Sequence, residues 1–98
     1  MCNCFIYILT NKWHTVLYTR QTDSLENRLT QHKLGVFPGF TKRYSCDQLV
    51  YFERFDDMSM AIARENQIKG WTRAKKEALI ATLNPDWDDL SRTWKDIK

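Results

Sequence analysis

Two runs rich in β-branched and aromatic residues, 4–9 and 15–19, flank a turn at 11–13 and together predict a β-hairpin. Each run carries one tyrosine, Tyr7 and Tyr18. The other elements follow from punctuation, because the glycines and prolines fall where elements should end. Asp23, with Glu26 three residues later, predicts a capping-box-like start to a helix that carries Leu25 and Leu29 and ends before Gly35. Arg28 and His32 then fall one turn apart on one helix face. Residues 35–44, with Pro38, Gly39, Lys42 and Arg43, read as an exposed loop, and 48–55 as a third strand. Asp56 and Asp57 cap a second helix that stops at Gly70, with Met58, Ala61, Ile62 and Ile68 on one side. Glu65 falls inside that apolar stripe. A third helix over 72–83 is followed by Asn84, Pro85 and an acidic tail, whose Trp87 and Trp94 should pack back on the body.

A chain of 98 residues with 43% hydrophobic content supports one core and one domain, its body spanning about 5–90 and its acidic tail 85–98. No apolar run is long enough to cross a bilayer, and the stretch 4–9 lacks the basic start and length of a signal peptide, so a cytoplasmic protein with no membrane contact is expected. Cys2, Cys4 and Cys46 are odd in number and the first two lack the spacing of zinc knuckles or ribbons. Free thiols are expected, Cys4 serving as a small hydrophobe in a strand.

Net charge is only +3, so its placement matters more than its size. Lys33, Lys42, Arg43, Lys69, Arg73, Lys75 and Lys76 gather in the loop and around the helix at 72–83, while Asp86, Asp88, Asp89 and Asp96 crowd the tail. A basic flank of this kind suits the tracking of a nucleic-acid backbone; a solvated helix surface gives the same pattern. Phe37, Phe40 and Trp71 lie among these charges, as stackers for unpaired bases or as core. Glu65 argues more strongly, since a carboxylate within an apolar stripe must meet a cation or hydrogen-bond donors. A metal ion would serve, and so would an ion pair with Arg28 or Arg64.

In this order, Phe5-Ile6-Tyr7, Tyr18-Thr19-Arg20, a helix with Arg28 and His32, a third strand and a helix with an inward Glu65, the chain resembles the GIY-YIG nucleases, nearest to their small stand-alone bacterial members. Residues 29–33, 39–44, 62–71 and 84–87 carry further family wording in sequence order. The resemblance implies an α+β fold, a three-stranded antiparallel sheet flanked by helices, with Tyr7, Tyr18, Arg28, His32 and Glu65 converging on one concave face. It also implies an endonuclease holding one divalent ion, Mg²⁺ or Mn²⁺, on Glu65, and DNA as its partner, single-stranded, branched or damaged rather than a specific duplex site. Phosphodiester hydrolysis needs a base near the attacking water, positive charge on the phosphorus centre and a stabilised leaving oxygen. Tyr18, Arg28 and metal-bound Glu65 match these three needs, with His32, the metal or Tyr7 helping the Tyr18 phenol to lose its proton.

Taken singly, each residue also has an ordinary reading: Tyr7 and Tyr18 as strand packers, Arg28 and His32 as a solvated helix face, Asn84 as a helix C-cap. The second motif ends in Arg20 where the family has glycine, and Gln21 follows where some members place lysine. Arg20 either blocks the approach of a phosphate to Tyr18 or adds a contact to it. A metal-dependent nuclease and a catalytically impaired nucleic-acid-binding domain are therefore both carried forward. A protein partner for substrate recognition is a third element, since so short a chain leaves little surface for a specificity module.

Overall fold

The computed structural model describes residues 3–34 and 46–93, without the side chains of 32–34 and 93. In chain order it has β1 (Cys4–Thr10), β2 (Leu17–Thr22), α1 (Leu25–Leu34), β3 (Gln48–Phe55), α2 (Met58–Lys69), α3 (Arg73–Leu83) and a short 3-10 turn (Leu90–Thr93). The strands form one antiparallel sheet in the order β2-β1-β3. This is the α+β arrangement expected from the sequence.

β1 is the central strand, and both its faces are covered, so its sequence is apolar almost throughout rather than alternating. Cys4, Ile6 and Ile8 join Val50, Tyr51, Ala61, Ile68 and Ile80 in a cluster beneath α2 and α3. Tyr7 and Leu9, pointing the other way, join Leu25 and Leu29 of α1 with Cys46 and Leu49. The β1–β3 register shifts between Ile8 and Leu9, with Val50 as the extra residue on β3.

β2 begins two residues later than the sequence predicts and runs on to Thr22. The cause is Asn11, whose Oδ1 accepts from the backbone N–H groups of Thr15 and Val16 at 2.9 and 3.4 Å while its Nδ2 donates to Thr15 Oγ1 at 2.7 Å. Those amides bond to a side chain in place of a ladder. α1 also starts later than its capping signal, because the carbonyl of Ser24 accepts the first helical bond, from Arg28 N–H at 3.0 Å, leaving Asp23 outside. In α2 the Asp57 carboxylate caps as expected, accepting from Ser59 N–H at 2.9 Å, and Ala61, Glu65 and Ile68 are buried. Ile62 is instead 41% exposed, since it lies about 100° around the helix from Ala61. Trp87 packs against the α2–α3 cluster; Trp94, Phe37, Phe40, Lys42 and Arg43 lie outside the described residues. Cys46 is free and buried, but Cys4 is disulfide-bonded, which corrects the expectation of free thiols there.

Candidate active site

Hairpin register decides which side chains can meet. Tyr7 of β1 stands opposite Arg20 of β2, and Leu9 opposite Tyr18. Directly paired residues share a face, so Tyr7, Tyr18 and Arg20 all stand on the α1 side of the sheet, the two tyrosines as diagonal neighbours. Tyr7 is 2% exposed, Tyr18 is half-buried against the same cluster, and Arg20 is exposed.

Charge links this face to both flanking helices. The phenol of Tyr7 is pushed well above its ordinary range, chiefly by burial and then by Tyr18, while Arg28 and Arg20 pull it down and Glu65 raises it further. Tyr18 is also pushed up, again mainly by burial, with Arg20 and Arg28 opposing and Glu65 reinforcing. Tyr7 and Tyr18 therefore lie within the electrostatic reach of Arg20 on β2, Arg28 on α1 and Glu65 on α2. Arg20 stands among them as a cation that favours both phenolates. His32 follows Arg28 by one turn of α1, which places it in register without describing its side chain.

Glu65 is only 6% exposed. Its Oε1 accepts from Lys69 Nζ at 3.2 Å, one helical turn on, and its Oε2 is buried with no hydrogen-bond partner among the described residues. The preceding residue, Arg64, is engaged elsewhere. Its Nε and Nη2 each lie 3.0 Å from the Glu53 carboxylate, whose Oε2 also accepts from the Tyr51 hydroxyl at 2.5 Å. The expected alternative of a Glu65–Arg64 ion pair is thus replaced by Glu65–Lys69. The signal that pointed to Lys69 was its spacing, since Glu followed by Lys four residues on is a favourable helical pair.

The other predicted basic residues separate. Arg73 bonds Glu77 at 2.7 Å and donates to the carbonyls of Thr15, at 2.9 Å, and His14, tying α3 to the β1–β2 loop. Lys75 Nζ lies 4.5 Å from the Trp71 ring centroid and the Arg64 guanidinium 5.2 Å, so Trp71 is a half-buried core residue between two cations. Lys76 is half-buried, and the side chain of Lys33 is not described. Asn84 is the C-cap residue of α3. Its Nδ2 donates to the carbonyls of Val50 and Asp88 at 3.1 and 2.8 Å, and its Oδ1 accepts from Asp88 N–H at 3.0 Å, which leaves the amide a structural role.

A family model for the GIY-YIG catalytic domain matches residues 3–78. A UPF0213 protein of Natronomonas pharaonis is 40% identical over 77 residues, covering 79% of this chain and 89% of that one. Another, from Syntrophus aciditrophicus, is 38% identical over 87 residues, covering 88% and 98%. The solution structure of a UPF0213 protein from Bacillus halodurans superposes with a TM-score of 0.57 at 26% identity, covering 89% of this chain and 92% of that one. No helix among the described residues is long and apolar enough to cross a membrane. With its sheet order, its paired tyrosines and a family match over most of its length, the chain belongs to the GIY-YIG domain family, whose members are nuclease-like and bind nucleic acids.

Proposed function

We propose that the chain is a divalent-metal-dependent endonuclease that hydrolyses phosphodiester bonds in single-stranded, branched or damaged DNA. The observation that carries this reading is the buried Glu65 carboxylate, one of whose oxygens has no hydrogen-bond partner among the described residues. A buried acceptor left in that state costs roughly 1–3 kcal/mol, more when charged. It suits Mg²⁺ or Mn²⁺, which take one or two protein carboxylates and fill the remaining positions with substrate phosphate and water. No group of three or more His, Cys, Asp or Glu residues forms a metal cluster among the described residues, so Glu65 would be the protein ligand they provide. The bound ion would polarise the phosphoryl oxygens and stabilise the leaving oxygen.

The rest would fall to the side chains of the α1 face. Arg28 holds the phosphate through the two parallel donors of its guanidinium, and Arg20 adds a second cation in the place of the family glycine. Tyr18 orients the attacking water and takes its proton as phenolate, a form that Arg20 and Arg28 favour and burial opposes. Tyr7, more deeply buried, stays protonated and donates a hydrogen bond to a phosphoryl oxygen. Lys33, Lys42, Arg43, Lys69, Arg73, Lys75 and Lys76 remain the candidate backbone contacts, with a protein partner supplying substrate recognition. The test is a Mg²⁺- or Mn²⁺-dependent nicking assay on single-stranded, duplex and branched DNA, with Glu65→Gln alongside. Metal-dependent cleavage lost in that variant is the expected result, and absence of cleavage on every substrate in either metal removes the enzyme reading.

A catalytically silent nucleic-acid-binding domain is the second reading. Lys69 favours it, because its ammonium already stands at the carboxylate that a metal would use.

A further inference from the structure

Trp13 is 67% exposed at the tip of the β1–β2 hairpin, while Trp71 and Trp87 are half-buried against the core. An exposed indole offers a flat aromatic face of the kind on which unpaired bases stack. The tip is also held rigid. His14 adopts the left-handed conformation, with φ of 57°, and its N–H donates to the carbonyl of Asn11 at 3.0 Å. The Asn11 side chain closes the loop onto Thr15 and Val16, and Arg73 of α3 reaches across to the carbonyls of His14 and Thr15. The imidazole of His14 lies against Trp87, with ring centroids 4.9 Å apart, so the residue beside Trp13 is itself fixed to the body.

Charge identifies the occupant. Lys12 Nζ sits 4.6 Å from the Trp13 ring centroid. The stretch 3–22, the whole hairpin with its turn, contains Lys12 and Arg20 and no aspartate or glutamate. A rigid exposed aromatic with a cation against it, on an acid-free hairpin, matches a polyanion that carries flat apolar rings. We infer that Trp13 and Lys12 form a stacking platform for an unpaired base of single-stranded nucleic acid, the indole taking the base and the ammonium the adjoining phosphate. This rests on the nucleic-acid-binding part of the proposed function and not on cleavage. Tyr18 enters the ladder opposite Leu9, so the tip lies on the order of 10 Å beyond the tyrosine pair. At about 3.4 Å per stacked nucleotide, the platform takes a base on the order of three steps from the phosphate at Tyr18. It thereby sets where along a strand the backbone meets the candidate site.

The experiment is equilibrium binding, by fluorescence anisotropy, of a mixed-sequence single-stranded oligonucleotide and of an abasic strand of equal length. Parent, Trp13→Ala, Trp13→Phe and Lys12→Ala are compared across a salt series that begins at low salt, without divalent metal. Trp13→Ala should weaken binding to the base-bearing strand on the order of tenfold and leave abasic binding unchanged, while Trp13→Phe keeps most of the affinity. Lys12→Ala should weaken both strands alike and flatten the salt dependence. Unchanged binding by Trp13→Ala overturns the platform, and so does an equal loss on both strands, which would mean that Trp13 supports the loop and not a base. Because Trp13 is exposed, thermal melts of the variants should match the parent. If the parent binds neither strand, the nucleic-acid reading falls with the platform; if it binds but does not cut, only the endonuclease reading falls.

Discussion

Glu53 and Glu65 lie on neighbouring elements and differ in how their oxygens are satisfied. Glu53, on β3, takes a bidentate grip from Arg64 and a hydrogen bond from Tyr51, and Arg64 in turn donates to Gln67 at 2.8 Å. Its cluster is closed, and it joins α2 to the sheet. Glu65 is the more buried of the two, yet it has one oxygen on a half-exposed lysine and the other without a hydrogen-bond partner among the described residues. Identical side-chain chemistry thus serves structure where every polar atom is answered, and marks a candidate site where one is not. The two are mechanically joined. Arg64 and Glu65 are consecutive in α2, so the Glu53 clamp fixes the rotation of the helix that carries Glu65.

Substitution of each glutamate tests the contrast most severely. Glu65→Gln should reduce metal-dependent cleavage below roughly a hundredth of the parent rate, since an amide is a poor ligand for a hard divalent cation. Metal-free stability should change little or rise, as burial of a neutral amide costs less than burial of an incompletely paired carboxylate. Glu53→Gln should do the reverse, costing about 2 kcal/mol in chemical denaturation, less than a fully buried pair because Arg64 and Glu53 keep some solvent. Its effect on cleavage should be the smaller one. If Glu65→Gln lowers stability as much as Glu53→Gln and leaves cleavage intact, the two glutamates are equivalent and the site proposal is lost.

Smaller effects should follow from the phenols. Burial holds Tyr7, Tyr18 and Tyr51 above the usual tyrosine range, and for Tyr51 the hydrogen bond to Glu53 adds to this. A group whose folded pKa is raised gives stability that is complete below its unfolded value, near ~10, and lost as pH climbs from there toward the folded value. Melting temperature should therefore hold to about pH 10 and fall above it. The cleavage rate should climb with pH through the neutral and mildly alkaline range without levelling, if Tyr18 acts as phenolate. Arg20→Gly restores the family motif but removes a charge that favours the phenolate. It should slow cleavage by about threefold at neutral pH, a modest effect because the guanidinium is exposed. Faster cleavage in that variant would instead show Arg20 to be an obstruction.

The sequence made legible what depends on period and punctuation: the bounds of β3, the stop of α2 at Gly70, and the inward turn of Glu65 within its apolar stripe. It was less informative where a side chain overrides the backbone pattern. Nothing in the β-propensity of residues 15 and 16 announces that Asn11 will take their amides, and the capping signal at Asp23 lies one residue before the Ser24 carbonyl that accepts the first helical bond. Partner choice among charges was hardest to foresee. Arg64 lies beside Glu65 in sequence but points toward β3, about 100° around the helix, whereas Lys69, four residues on, lies on the same face.

That last pair supports the smallest and most discriminating prediction. Lys69 is about half exposed, and an i,i+4 pair of this kind contributes roughly 0.3–0.5 kcal/mol, so Lys69→Met should barely move the metal-free melting temperature if the ammonium is a loose occupant of the site. Removing it also removes a competing charge from Glu65. The midpoint for Mn²⁺ should then fall, and because a ligand that binds only the folded state stabilises it by mass action, added Mn²⁺ should raise the melting temperature of the variant more than that of the parent. A silent binder behaves otherwise, with Lys69 as the fixed counter-ion of a buried carboxylate. Its loss would strand the charge, lower the melting temperature by several degrees and leave it insensitive to Mn²⁺ in variant and parent alike. The two readings thus part twice, in whether the metal-free melting temperature falls and in whether Mn²⁺ raises it, and the melts decide whether Glu65 resembles Glu53 after all.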